Sequence, residues 1–133
     1  MSNDTDLDTN PLPSGELSLQ TIAMPRDTNP AGDIFGGWLL SQMDLAGASA
    51  AARIANGRVA TVAISGMTFL SPVHVGATVS CYTDCLEIGR SSVRMLVEVW
   101  INAKDDNEPV KVTEGVFVFV AIDENHRTRT ISR

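Results

Sequence analysis

The chain has 133 residues, 44% of them apolar and 20% charged, the size and balance of one globular domain around a single hydrophobic core. No window approaches the about 18 uninterrupted apolar residues of a membrane helix, and the acidic start MSNDTDLDTNPLPSGE lacks the basic character of an export signal, so a cytoplasmic protein without a membrane partner is expected. Ten Lys/Arg against sixteen Asp/Glu give a net charge of −6, which argues against a nucleic-acid backbone binder.

Residues 1–15 are rich in Asp, Asn, Thr, Ser, Pro and Gly and almost free of apolar side chains, and they read as a disordered acidic leader before a single domain over 16–133. Asp4, Asp6, Asp8 and Glu16 hold much of the negative charge. The body from Leu17 onward carries only −2, so a local basic pocket for a small anion is compatible with it. LSLQTIAM (17–24) alternates as a short strand that Pro25 stops. The turn-rich segment RDTNPAGDIFGG then leads into WLLSQMDLAGASAAARIA (38–55), a helix of about five turns ending at Asn56-Gly57.

Beyond Gly57 the chain turns to β-branched runs separated by turn formers: RVATVAISGMTFL, ATVSCYTDCLEI, SSVRMLVEVWINA and PVKVTEGVFVFVAID. Val93, Met95, Val97, Val99 and Ile101 define one face of the third run, with Arg94, Glu98 and Asn102 on the other. Short connections predict antiparallel neighbours for successive strands, and the lack of a strand-helix-strand repeat speaks against a doubly wound sheet. The helix is apolar almost all round, so it must be buried on most sides. One such helix and one long antiparallel sheet predict an α+β domain in which the curved sheet wraps the helix, with a second copy completing the burial. Cys81 and Cys85, four apart in one strand, are expected to be buried reduced thiols rather than a disulfide or zinc site.

Asp44 stands out on that helix. Its neighbours one and two turns away are Gly37, Leu40, Ser41, Gly47, Ala48 and Ala51, nearly all small. Such surroundings leave room for a ligand beside a carboxylate, and equally for close packing of a partner; a helix Asp that reaches solvent is the plainer alternative. Gly36-Gly37 opens the helix, where unpaired N–H groups and the positive dipole end offer an oxyanion site, although two glycines also serve a sharp loop-to-helix turn. Seven residues separate Gly37 from Asp44, about 10 Å along the axis, a spacing in which N–H groups and carboxylate could bracket one carbonyl. Asn29 sits where Asn usually shapes a turn. Gly89-Arg90-Ser91-Ser92 joins two strands and offers a guanidinium and hydroxyls to a phosphate, as well as reading as plain surface. No serine-hydrolase elbow, Walker loop or zinc-protease motif occurs, and His74 has no partner at triad spacing.

From about Leu17 to Arg133 the chain resembles the hotdog-fold acyl-CoA thioesterases of the YciA type, relatives of the cytosolic long-chain acyl-CoA hydrolases. The likeness is carried by AMPRDTNPAGDIFGGWLLSQMD (23–44), GRVATVAISGMTFLSPVHVG (57–76) and GRSSV (89–93). It implies an α+β hotdog fold and hydrolysis of acyl-CoA to free acid and coenzyme A, without cofactor or metal. In the family the helix Asp is the catalytic carboxylate, which falls on Asp44. The loop Asn acting from the neighbouring subunit falls on Asn29, and the Gly-Gly on Gly36 and Gly37. Coenzyme A would meet Arg90, Ser91 and Ser92, with Arg58 a further helper. The resemblance also implies a homo-oligomer built from dimers, a trimer of dimers. The match ends at Arg133, short of a C-terminal tail that some relatives carry, and coenzyme contacts from such a tail are not expected. A catalytically idle acyl-CoA-binding hotdog protein, a sensor or carrier, is the alternative of a different class; hydratase chemistry would need a His that this helix lacks.

Overall fold

The computed structural model describes residues 12–102 and 108–132. Most of the expected leader, residues 1–11, lies outside them. The elements are β1 (Glu16–Ile22), α1 (Gly36–Ala55), β2 (Val59–Phe69), β3 (Thr78–Ile88), β4 (Ser92–Asn102) and β5 (Pro109–Ala121), with a short 3-10 turn at Pro25–Asp27. α1 begins two residues earlier than its apolar run because glycines can enter the first turn. It ends as its sequence dictates: Asn56 adopts the left-handed conformation and donates its N–H to the Ala52 carbonyl. Arg129 Nη2 then caps the Ala55 carbonyl at 2.9 Å.

All five strands form one antiparallel sheet in the order β1-β3-β4-β5-β2, and α1 touches every one of them. One expectation fails here. β2 and β3 are successive but not neighbours, because residues 70–77 cross the end of the sheet instead of turning back. That crossover is anchored by Leu70 N–H to the Val112 carbonyl (2.7 Å), Ile34 N–H to Val73 (3.3 Å) and Gly76 N–H to Ala23 (2.8 Å). It passes beside the start of α1, which is how the β2–β3 connection comes to wall the helix N-terminus.

The core lies between α1 and the concave face of the sheet. Leu39, Met43, Ala46, Ala50, Ala51 and Ala55 meet Val93, Met95, Val97, Val99, Phe117 and Phe119, all buried. Gly47 is part of this contact: a Cβ there would lie 2.9 Å from the Phe119 ring and 3.2 Å from Val97. Two of the small residues around Asp44, Gly47 and Ala51, therefore serve helix-to-sheet packing rather than leaving space. Gly37 and Ser41, on the other side, are exposed.

The convex face departs from simple alternation at Glu98, which is buried rather than solvated. Trp100 Nε1 donates to its Oε1 (2.9 Å), Ser14 N–H and Oγ donate to the two carboxylate oxygens (both 3.1 Å), and Lys111 Nζ lies 3.4 Å from Oε2. Burial works against the charge. The Trp100 and Ser14 hydrogen bonds and the Lys111 ammonium outweigh it, and the carboxyl is held below its ordinary pKa. Cys81 is fully buried, which pushes its thiol up to about 12, whereas Cys85 is exposed, next to a register shift in β3, contrary to expectation. Among the described residues no helix is long and apolar enough to cross a membrane, and no cluster of metal-ligating side chains occurs.

Candidate active site

Asp44 emerges half-buried from the flank of α1 that faces edge strand β2, and Thr61 Oγ1 donates to its Oδ1 at 2.6 Å. It is the single acidic residue of the helix, and among the described residues Thr61 supplies its one hydrogen bond. One carboxylate oxygen is thus pinned while the other is left to a water or substrate. Thr61 carried no signal in the sequence: it is one of several β-branched residues in β2, and only the packing of helix against strand aims its hydroxyl at Asp44.

A hydroxyl that orients a reacting carboxylate acts through it, so the expected signature is a loss in kcat rather than in binding. Thr61→Val, which keeps the shape and β-propensity, should lower kcat about tenfold or more with little change in KM, and Thr61→Ser should restore most of it. Steady-state kinetics on the three proteins checks this; a pure KM effect would assign Thr61 to substrate binding instead.

At the start of α1 the N-cap is Phe35, whose side chain offers no acceptor, and no acidic residue occupies the first turn. The opening N–H groups have no acceptor inside the helix by construction. A Cβ at Gly37 would meet nothing within 4 Å, and one at Gly36 would lie 3.4 Å from the Phe69 ring tip. Gly37 thus borders open space, and both amides lie at the positive end of the helix dipole. A carbonyl oxygen turning into an oxyanion is suited to such a place.

Asn29 is held in the loop ahead of the helix. Its Oδ1 accepts from Ala31 N–H (3.0 Å) and Asp33 N–H (3.1 Å), and its own N–H donates to the Asp33 carbonyl (2.7 Å). The loop is closed further by Phe35 N–H to the Asp27 carbonyl (3.1 Å) and a bridge between Thr28 and Ile34. The turn-forming role of Asn is therefore real here, and it consumes the amide oxygen. The side-chain NH₂ remains, so any chemistry at Asn29 is that of a donor. Asn29 makes no contact with Asp44 in the single chain, its polar partners all lying within its own loop.

The basic residues gather at one end of the sheet. The Ser91 carbonyl accepts from Ala121 N–H (2.7 Å), the Arg58 carbonyl from Ile122 N–H (3.0 Å) and the Arg90 carbonyl from Ile131 N–H (2.8 Å). The C-terminal segment thereby ties the start of β2 to the β3–β4 turn. Gly89 N–H donates to the Ser92 carbonyl (2.7 Å), closing that turn tightly. Arg58 Nη2 lies 3.2 Å from His126 Nε2 and Arg90 is exposed. His126 and Arg129, not singled out in the sequence, join this end of the molecule because the chain folds back after Ala121. Thr61, Phe119 and Val93 form one row across β2, β5 and β4. Arg90 lies two strands over and three residues beyond that row, so the Asp44 tether and the basic turn are separated by about 14 Å.

Comparison with known proteins places this geometry in context. The model of the thioesterase superfamily matches residues 31–106. The uncharacterized acyl-CoA thioester hydrolase of Haemophilus influenzae is 54% identical over 123 residues, covering 90% of this chain and 79% of its own. The acyl-CoA thioester hydrolase YciA of Escherichia coli is 50% identical over 127 residues, covering 92% of this chain and 96% of its own. Among solved structures, the hexameric broad-specificity acyl-coenzyme A thioesterase HI0827, in an aspartate-to-alanine form, superposes with a TM-score of 0.88 at 52% identity, over 90% of this chain and 88% of that one.

Proposed function

Because the chain belongs to the thioesterase superfamily, as a hotdog acyl-CoA thioester hydrolase of the YciA kind, we propose that it hydrolyses acyl-CoA with Asp44 as its catalytic carboxylate, in a site completed by a second subunit. The observation that carries this reading is the state of Asp44: one oxygen pinned by Thr61, the other unclaimed among the described residues, on a helix with no other acid. Such a group can take a proton from a water that attacks the thioester carbonyl, or attack it directly to form a mixed anhydride that water then hydrolyses to the free acid and the carboxylate. The carbonyl oxygen gains charge as the new C–O bond forms, and the N–H groups of Gly36 and Gly37 stabilise it. Collapse of the tetrahedral intermediate breaks the C–S bond and expels coenzyme A as a thiolate, a good leaving group that needs no strong general acid.

Sharing between subunits follows from β2. It is an edge strand whose residues from Thr61 to Gly66 are exposed on both faces, with Val62 and Ile64 among them. An antiparallel partner strand would bury this edge. Asp44 is tied to β2 at Thr61, and Gly36 touches β2 at Phe69, eight residues on. Antiparallel pairing of two copies brings the Thr61 end of one against the Phe69 end of the other. The carboxylate of one chain then faces the helix N-terminus and the Asn29 loop of its partner, with the Asn29 NH₂ donating to water or carbonyl. In this arrangement the amides and the carboxylate that bracket one carbonyl come from different chains. Dimers of this kind assemble in threes, as supported by the hexameric state of HI0827.

Arg90, Ser91 and Ser92, with Arg58, hold the coenzyme phosphates, at an end of the sheet where cationic side chains gather beside a tight turn. The about 14 Å from there to the Asp44 tether is of the order of an extended pantetheine arm. The test is release of free thiol from acyl-CoA by the purified protein and by Arg90→Ala. Wild-type protein should turn over acyl-CoA. Arg90→Ala should raise KM about tenfold with a smaller effect on kcat and a weaker dependence of KM on salt, while a short acyl-pantetheine thioester should barely register the change. Equal losses on both substrates would remove Arg90 from the coenzyme site, and absence of thiol release by the wild type would leave a binding role in place of the enzyme.

A further inference from the structure

Beside the start of α1 lies a cavity of about 350 Å³ that the chemistry above does not use. Gly36 forms part of its wall, so it adjoins the helix start assigned to the oxyanion. Its other walls are mostly apolar, with Ile34 and Leu39 from the helix entry, Phe69 at the end of β2, and Leu70 and Val73 from the crossover, while Asp33 and Ser71 add polar atoms. Ile34, Leu39 and Val73 are each less than a tenth exposed and belong to the core. Phe69 differs from them. It is 52% exposed, and its ring meets the Gly36 position tip first, Cζ at 3.4 Å and both Cε atoms at 3.8 Å. A ring with its tip at Gly36 lines the cavity beside the helix start, where its bulk bears on how far an apolar chain can run.

We propose that this cavity receives the acyl chain of the thioester and that Phe69 sets the chain length it accepts. The proposal rests on the thioesterase reading above and adds to it a specificity-determining residue. The occupant follows from position and character: a thioester that places its carbonyl oxygen at the Gly36 amide has this cavity beside it for its adjoining carbons, and most of the lining is apolar. The size fits as well, since about 350 Å³ is at the lower end of the range for small-molecule sites, enough for a short or medium chain. Each methylene that gains or loses an apolar wall changes affinity about fourfold. A side chain that adds or removes room for two methylenes therefore shifts the preference between long and short chains by about tenfold or more.

The experiment is a panel of saturated acyl-CoA substrates from two to sixteen carbons, assayed by thiol release with wild type, Phe69→Ala and Phe69→Trp. Phe69→Ala should raise the ratio of kcat/KM for long over short chains by about tenfold, and Phe69→Trp should lower it comparably. Because Phe69 lies outside the buried core of the chain but in the β2 segment assigned to the subunit interface, both variants are compared with the wild type as assembled protein, checked by size-exclusion chromatography and thermal unfolding. If Phe69→Ala fails to fold, the opposite shift in Phe69→Trp carries the test. Profiles that move in parallel at every chain length would overturn the proposal while leaving the thioesterase reading intact. A wild type inactive on the whole panel would overturn both.

Discussion

Asp44→Asn is expected to reduce acyl-CoA turnover by two or more orders of magnitude while leaving the fold and the assembly unchanged. The amide is nearly isosteric with the carboxylate, and it can still accept from Thr61 Oγ1 through its oxygen. Asp44 is half-buried and makes no ion pair among the described residues, so the substitution leaves no uncompensated charge in the core. What it removes is the ability to take a proton or attack a carbonyl. Thiol-release kinetics together with size-exclusion chromatography and thermal unfolding distinguish the outcomes. Largely retained activity would dismiss Asp44 as the catalytic carboxylate, and loss of folding would make it a structural residue.

The second large effect concerns the sharing of the site. Asp44→Ala and Asn29→Ala, each first shown to be folded and inactive, are co-expressed with different tags so that hybrid dimers form. Where Asp44 of one chain works with Asn29 of the other, one site of each hybrid receives both wild-type residues and its twin receives both lesions. Random assembly makes about half of the dimers hybrid, so about a quarter of wild-type activity should return. Where both residues come from one chain, every site keeps a lesion and nothing returns. Asn29→Ala also removes the acceptor for two loop amides, so its folding control matters more than that of the helix variant. Asn29→Asp keeps the acceptor and deletes the NH₂ donor, and it serves as the partner lesion if the loop proves sensitive.

Much of the framework was legible because local pattern and final environment agree. The alternation of Val93, Met95, Val97 and Val99 survives as a buried face, and Asn56-Gly57 ends the helix where turn chemistry demands. What escaped depends on contacts distant in sequence. The β2–β3 connection reads like any other short loop, yet its anchors at Ile34, Val112 and Ala23 lie far away in the chain. Glu98 reads as a solvated position until Ser14 folds over it from 84 residues away. Around Asp44 the sequence shows a ring of small residues but not their division, with Gly47 and Ala51 pressed on the sheet and Gly37 and Ser41 left open. The candidate site divides the same way. Residue types and spacing mark Asp44, Gly36, Gly37 and the basic turn, whereas Thr61 and Phe69 acquire meaning only when β2 is laid beside the helix.

The two-sided exposure of β2 also has a kinetic meaning. A chain fresh from synthesis reaches its own internal bonding while still presenting a β-edge with Val62 and Ile64 to the solvent, the kind of edge that templates sticking between strangers. In the proposed dimer its protection is an encounter with its own kind, which would make maturation second order in protomer. Maturation is slow when few copies exist and quick when many do. Stability then belongs to the population rather than to the molecule, because mass action couples folding to assembly. With the site shared between subunits as proposed, the same encounter would create the catalytic machinery, so that a protomer without a partner would be both vulnerable and inert.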